Sequence, residues 1–437
     1  MKLRKLETEE HGKTRKLWEE VFSEDSREFL DYYYYIKTKD NAIYVIEEDD
    51  AIRSMLQLNP YELQVEDARL RSEYIIGVAT QKEYRSRGYM RQLLTKAMQD
   101  LYDRKDAFTF LMPAAEAIYT PYDFRYVYRQ PSCVLTEEKK VVSEVSTIKT
   151  TVTWREARLM DATVMAEFFQ NHFAAKWNVC AVHDAEYYRT MILEQQSEFG
   201  GVCLLEEGRQ IIGMFAYAME EGLEIREVLY LDGYRDAFLN VVRELKELVP
   251  DEREKEKKDS EYEMTGITTA RLDESDVENE NMVEKAQSQQ EQEEKSQEEA
   301  QNLTEPGITV YGCMPEDTEK ETPLIMVRIL HLPTLLQTLK VPAEETLNCS
   351  FAVIDPILQK NSRVWKLTSE LGEEKIHVSE TEDSEGMIPI AELTELLFGY
   401  HSLEELKKSG QVILTEHLQA ELEKVKKLSE IMLNEIV

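Results

Sequence analysis

Arg85-Ser86-Arg87-Gly88 is where residue types and spacing first suggest chemistry. Two arginines beside a glycine at a helix start would offer charged donors, open backbone N–H groups and room for a close approach, which suits a diphosphate. The flanking sequence predicts such a helix. From 91 to 100 the apolar residues Leu93, Leu94, Ala97 and Met98, with Leu101 just beyond, recur at the helical period. Residues 75–80, Ile-Ile-Gly-Val-Ala-Thr, are apolar and β-leaning. Strand, basic turn and helix therefore follow in order, although Arg-x-Arg-Gly taken alone is a weak pattern.

Composition bounds what else the chain can be. Its 437 residues suffice for two or three domains with sizeable cores, and a hydrophobic fraction of 42% is that of a globular protein. The formal net charge of -34 argues against nucleic acid and anionic membrane surfaces, and favours a cationic substrate. Cys133, Cys180, Cys203, Cys313 and Cys349 are odd in number and lack disulfide or metal spacing, as expected in a reducing cytoplasm. The seven histidines are scattered without ligand spacing, so no metal site is expected. Met1-Lys2-Leu3-Arg4-Lys5-Leu6-Glu7 leads into no apolar run, and neither a signal peptide nor a membrane span is predicted.

Periodicity predicts helices over 11–22 and 26–36, then strands over 42–48 and 52–58 and a further one over 69–80. Tyr32 to Tyr35 point all round the second helix, and most must pack inside the fold. A second αβ series begins near Trp154: helices over 161–173 and 185–197, strands over 201–206, 210–219 and 223–230, and a helix over 235–248. Its strand-to-helix turn, Leu231-Asp232-Gly233-Tyr234-Arg235, sets one glycine beside an acidic residue, so this copy is expected to bind no cofactor. Residues 251–306 hold 19 acidic and 7 basic residues, a net of -12, with no Phe or Trp. Such a stretch reads as a disordered insertion; a charged helix over 284–302 is the alternative. Further strands and helices follow from 307, and 432–437 are apolar enough to be buried.

The order of residues over 75–94 resembles the acetyl-CoA motif of the GNAT N-acetyltransferase superfamily. Downstream, the strand 107–111 and then Pro113 to Tyr126, with Tyr119 before an aromatic-rich turn, are similar to the superfamily's later helix and final strand. Many GNAT proteins have a small residue two positions after the glycine. Met90 stands there instead, as in the enhanced intracellular survival (Eis) branch, where a bulky residue follows. The C-terminal region also resembles that branch's sterol-carrier-like domain, including Met326-Val327-Arg328-Ile329 and Leu397-Phe398-Gly399-Tyr400.

The resemblance implies an α/β (α+β) fold: a catalytic GNAT domain at 1–146, a degenerate GNAT-like domain at 147–322 carrying the insertion, and a sterol-carrier-like α+β domain at 323–437. It implies acetyl transfer from acetyl-CoA to a primary amine of a cationic substrate such as an aminoglycoside, polyamine or lysine. Val78 and Thr80 would bond the pantetheine arm through their backbone, and Arg85, Ser86, Arg87, Gly88, Tyr89 and Met90 would hold the diphosphate. Ser86 stands where the branch often has a third arginine, with less charge to offer. Tyr119 matches the branch's general acid, a phenol of pKa ~10 able to protonate a thiolate near ~8.5. The base would be the α-carboxylate of Val437, with Glu73 as its rival. A homo-oligomer, in the branch a hexamer built from trimers, is implied too. The alternative is a catalytically inert module whose C-terminal domain binds an apolar ligand.

Overall fold

The computed structural model describes residues 1–135, 152–219, 222–248 and 307–435. The insertion read at 251–306, the domain limit at 146/147 and Val437 lie outside the described residues. The fold is α/β. Contacts divide it into two compact units: Met1–Gln130 with Ala162–Thr190 and Glu321–Val437, and Pro131–Asp161 with Met191–Lys320.

In the first unit, β1 (Lys2–Lys5), β2 (Ala42–Glu48), β3 (Ala51–Val65) and β4 (Ala68–Thr80) are neighbours in an antiparallel series. β5 (Phe108–Leu111) joins β4 in parallel, and β13 (Lys320–Ile329) lies antiparallel beside β5, next to β6 (Arg125–Leu135). The helix α1 (Arg15–Val21) precedes α2 (Arg27–Tyr35), which starts where Ser26 Oγ accepts from the Phe29 N–H at 3.2 Å. Within α2, Tyr33 is fully buried and Tyr35 is 80% exposed, so the tyrosine run serves mainly as packing. The helix α3 (Tyr89–Asp103) buries Leu93, Leu94, Ala97, Met98 and Leu101 against Tyr44, Ile46, Leu56, Leu58 and Ile75 of the sheet. Each such leucine contributes about 1.5–3 kcal/mol by leaving water.

Three later pieces complete this unit. After α5 (Ala162–His172), β8 (Val179–Ala181) pairs with β3 and so extends its far half. The sterol-carrier-like part forms a second sheet in the order β16 (His377–Glu380), β15 (Val364–Ser369), β14 (Leu347–Ile354), β17 (Gly386–Pro389), β18 (Ile413–Leu414), with helices Ile390–Leu397 and Glu416–Lys424. Finally β19 (Ile431–Met432) pairs in parallel with β8, and Leu433 is fully buried. The burial expected of the apolar tail thus holds as far as it is described.

The second unit contains β7 (Val152–Glu156), β9 (Gly201–Glu207), β10 (Gln210–Ala218), β11 (Glu224–Tyr230) and β12 (Ile308–Tyr311), in the order β12-β11-β10-β9-β7. The helix α7 (Arg235–Leu248) packs on it, with Phe238 against Phe215 and Tyr230 at ring distances of 5.3 and 5.5 Å. The helix α6 (Ala185–Ser197) runs from the first unit's residues into the second's. Among the described residues no helix is long and apolar enough to cross a membrane.

Candidate active site

The strand that feeds the basic turn is bent before it arrives. Met55 pairs with Ala79 and Gln57 with Ile76, so Leu56 alone faces both Gly77 and Val78, a bulge in β4. Gly77 has φ +58, and a Cβ there would come within 2.6 Å of the Trp18 ring, so both backbone angle and space require glycine. Beyond the bulge β4 parts from β5: their parallel ladder has one register pair among the described residues, Tyr74 with Phe110. That opening lies beside Val78 and Thr80. Thr80 is pinned from the β3 side, its Oγ1 2.7 Å from Ser54 Oγ, while its carbonyl accepts from Arg85 Nε at 3.3 Å.

A 3-10 turn, Lys82–Tyr84, then carries the chain to α3. Ser86 (φ +61) and Gly88 (φ +74) are both left-handed, which turns the backbone so that the first helical amides face outward. The N–H groups of the first turn have no intrahelical acceptor and carry the positive end of the helix dipole. Arg87 donates to the Glu83 carbonyl at 3.0 Å and lies 4.4 Å from the centre of the Tyr84 ring, with Arg53 at 4.5 Å from the same ring. Tyr84 stacks near Tyr89, whose hydroxyl donates to Glu48. Met90 is half-buried and packs on the core beneath, so its bulk does not cover the turn. This donor set fits a diphosphate.

Tyr119 ends the short helix α4 (Glu116–Tyr119). It is 8% exposed and meets Phe124 edge-on at 5.8 Å. Among the described residues its hydroxyl has no hydrogen-bond partner. Burial, with Tyr122 nearby, holds its proton well above the usual tyrosine range. Val78, Tyr84, Tyr89, Met90 and Tyr119 all belong to one apolar cluster, so the turn and the tyrosine share one wall. Tyr126 is pushed up to about 12, again by burial.

Glu73 is placed differently. It is wholly buried, with one carboxylate oxygen bonded by Arg104 at 2.5 Å and Arg71 at 2.9 Å, and Arg104 is tied in turn to Asp106. Its other oxygen has no hydrogen-bond partner among the described residues. Burial raises its pKa while the two arginines oppose the rise. Arg104 caps the far end of α3, about 24 Å along the helix from Gly88. His11, the first domain's lone histidine, is buried with Nδ1 2.9 Å from the Thr38 carbonyl, and burial lowers its pKa.

The tail reaches this unit through contacts that sequence reading did not find. Asn434 Oδ1 accepts from Tyr128 Oη at 2.8 Å and Gln130 Nε2 at 3.1 Å, and Tyr187 donates to Glu435 at 3.3 Å. The Gly77 bulge was equally missed, although a glycine inside an apolar strand is its usual sign.

Residues 2–127 match the family described as an acetyltransferase (GNAT) domain, and 332–435 match a sterol carrier protein domain. The chain carries a GNAT acetyltransferase domain. Solved structures share the fold over nearly the whole length. A conserved protein of unknown function from Enterococcus faecalis, described as a probable N-acyltransferase, is 15% identical with TM-score 0.70, covering 98% of this chain and 97% of its own. A GCN5-related N-acetyltransferase from Anabaena variabilis is 12% identical with TM-score 0.66, covering 97% of each chain. Eis1 from Mycobacterium abscessus is 11% identical with TM-score 0.63, covering 97% of each. No curated protein matches the sequence significantly.

The second unit repeats part of the GNAT domain's geometry with different residues at the helix start. Met214 pairs with Leu229 and Ala216 with Arg226, so β11 is bulged where β4 is, with Glu227 at φ +50 in the place of Gly77. The parallel ladder of β11 with β12 lies before the bulge, at Glu224 to Arg226, as the β4–β5 pair at Tyr74 does, and at the bulge Val228 donates to the Gly312 carbonyl at 3.1 Å. The likeness ends at the helix that follows. At the start of α7, Arg235 is bound by Asp317 at 2.6 Å, and Tyr230 donates to Asp317 at 2.7 Å and Glu316 at 3.1 Å.

Proposed function

We propose that the chain is an Eis-type, acetyl-CoA-dependent N-acetyltransferase that moves an acetyl group directly to a primary amine of a cationic substrate. One observation carries the reading: a bulged strand opens beside an arginine-flanked helix start, in one apolar cluster with a buried tyrosine whose hydroxyl is unbonded. The cofactor supplies the activated acyl thioester. Arg85, Ser86, Arg87 and the amides of Gly88, Tyr89 and Met90 hold its diphosphate, and the backbone of Val78 and Thr80 aligns its arm across the opening. Tyr119 gives its proton to the departing sulfur. Its raised pKa keeps it protonated at neutral pH, so the acid form is always ready.

The α-carboxylate of Val437 takes the amine's proton in this reading. Glu73 is the poorer base because two arginines occupy its only paired oxygen and water does not reach it. With 251–306 set aside the chain still carries -22 (-34 less -12), a field that draws in a polyamine, aminoglycoside or lysine side chain. A division at 1–146, 147–322 and 323–437, a cytoplasmic location and a homo-oligomer of hexameric type belong to the same proposal. No contact favours the inert binding module over it.

The test is free thiol release from acetyl-CoA against a panel of polyamines, aminoglycosides and lysine peptides. Intact protein would be run beside Tyr119→Phe and a version lacking Ile436 and Val437. Turnover on at least one amine, lost in both variants with cofactor binding retained, is the expected result. Tight cofactor binding with no turnover on any amine would overturn it.

A further inference from the structure

Arg328 is a charged side chain where an apolar one would be expected. It lies in β13 between Val327 and Ile329, both fully buried, and is itself 0% exposed. A guanidinium so placed is stable only if most of its N–H groups are satisfied. Its Nη2 donates to Asp355 Oδ1 at 2.6 Å, Nη1 donates to the Ile329 carbonyl, and Nε donates to the carbonyl of Tyr122 at 3.0 Å. Asp123 Oδ2 lies 3.5 Å from Nη2.

Two of those four partners belong to the turn that follows Tyr119. That turn is sharp: Thr120–Tyr122 is a single 3-10 turn, the Asp123 N–H returns to the Thr120 carbonyl at 3.0 Å, and Asp123 is left-handed at φ +63. Nothing bonds the Tyr119 hydroxyl among the described residues, so its direction is set by the backbone that carries it and by the Phe124 ring.

The other anchor is rigid. Asp355, buried just after β14, accepts from the N–H groups of Ile357 and Leu358 at 3.1 and 2.8 Å and from Asn361 Nδ2 at 2.9 Å. Asn361 also donates to the Leu330 carbonyl at 2.6 Å, two residues from Arg328. The guanidinium thus connects a braced carboxylate in the sterol-carrier-like part to the backbone beneath Tyr119.

We propose that Arg328, held by Asp355, is a positioning residue that fixes the Tyr119–Asp123 turn and so aims the Tyr119 hydroxyl at the departing sulfur. The inference rests on the reading of Tyr119 as the acid. It gives the sterol-carrier-like part a role in proton delivery that needs no ligand of its own. A packing role alone would affect stability; a positioning role affects kcat through Tyr119.

A double-mutant cycle separates the two. Arg328→Lys keeps the charge but cannot span Tyr122 and Asp355 together, and Asp123→Asn keeps a residue that tolerates the left-handed angle while removing one carboxylate. Each would be measured alone and combined with Tyr119→Phe, by thiol release on the best amine of the panel, with melting temperature recorded for every variant. The expected result is a kcat loss of about 10- to 100-fold for Arg328→Lys, of the size that a displacement near 1 Å produces. Asp123→Asn loses less, KM for acetyl-CoA stays within about two-fold, and neither substitution lowers kcat further once Tyr119 is Phe. Full additive losses in the Tyr119→Phe background in a folded variant would overturn the positioning role. If Arg328→Lys does not fold, Asp123→Asn alone decides by the same criterion. Tyr119→Phe with undiminished turnover would instead sink the acid assignment beneath it.

Discussion

The β4–α3 and β11–α7 segments have nearly the same backbone and opposite fillings. Both strands carry a two-against-one bulge whose first residue has positive φ, Gly77 at +58 and Glu227 at +50, and both lead through a glycine turn into a helix. In the GNAT domain the ladder with β5 has its one register pair among the described residues at Tyr74, and Arg85 and Arg87 flank the turn into α3. In the second unit the ladder with β12 likewise lies before the bulge, at Glu224 to Arg226, and Asp317 sits on Arg235 at the head of α7. A side-chain carboxylate there occupies the kind of place that a phosphate would take at the other helix. The bulge therefore recurs in both units, and what differs is the side-chain charge at the helix start.

The strongest way to break this contrast is at the proposed acid. Tyr119→Phe is expected to lower kcat by about 100-fold or more without loss of folded protein, as thiol release and a melting curve would report. Next come the bulges. Gly77→Ala adds a methyl 2.6 Å from the Trp18 ring at a left-handed angle and should cost about 2–4 kcal/mol in urea unfolding, with loss of cofactor binding. Glu227→Gly relieves the same angle and should cost far less; an equal loss would mean the two bulges do not bear the same strain. Smaller still, Arg87→Ala should weaken acetyl-CoA about ten-fold by titration calorimetry, while Arg235→Ala leaves that affinity unchanged. The least effect is in pH. Because burial raises the Tyr119 pKa and the protonated form is the active one, kcat should hold through pH 10, the ordinary tyrosine pKa, rather than fall as that value is crossed.

Much of the framework was legible in the sequence. The helix after the basic turn and the helices α6 and α7 lie where apolar periodicity puts them, because each buries one face of its own, and β2 lies where its continuous apolar run, buried on both faces, puts it. The turn was legible for the same local reason: Arg85, Arg87 and Gly88 are neighbours in the chain and their contacts with Thr80 and Glu83 are local. What could not be read depends on distant partners. Pro60 sits inside a strand that continues to Val65, since β4 pairs along its whole length. Residues 162–190 belong with the first unit because β8 pairs with β3, and nothing in Val179-Cys180-Ala181 announces that neighbour. Arg328 was visible as an arginine in an apolar strand, yet its partners are 205 residues before and 27 after it.

The pairing of β19 with β8, and of β8 with β3, has a consequence for how the molecule comes to exist. The N-terminal strands cannot complete their sheet until residue 432 has been made, about 300 residues after β6 begins to close the GNAT domain. At ordinary rates of synthesis that delay is on the order of tens of seconds. During it β8, already able to pair with 63–65 of β3, lacks its own outer neighbour β19 and waits as an open edge, so the nascent chain is most in need of protection before translation reaches the tail.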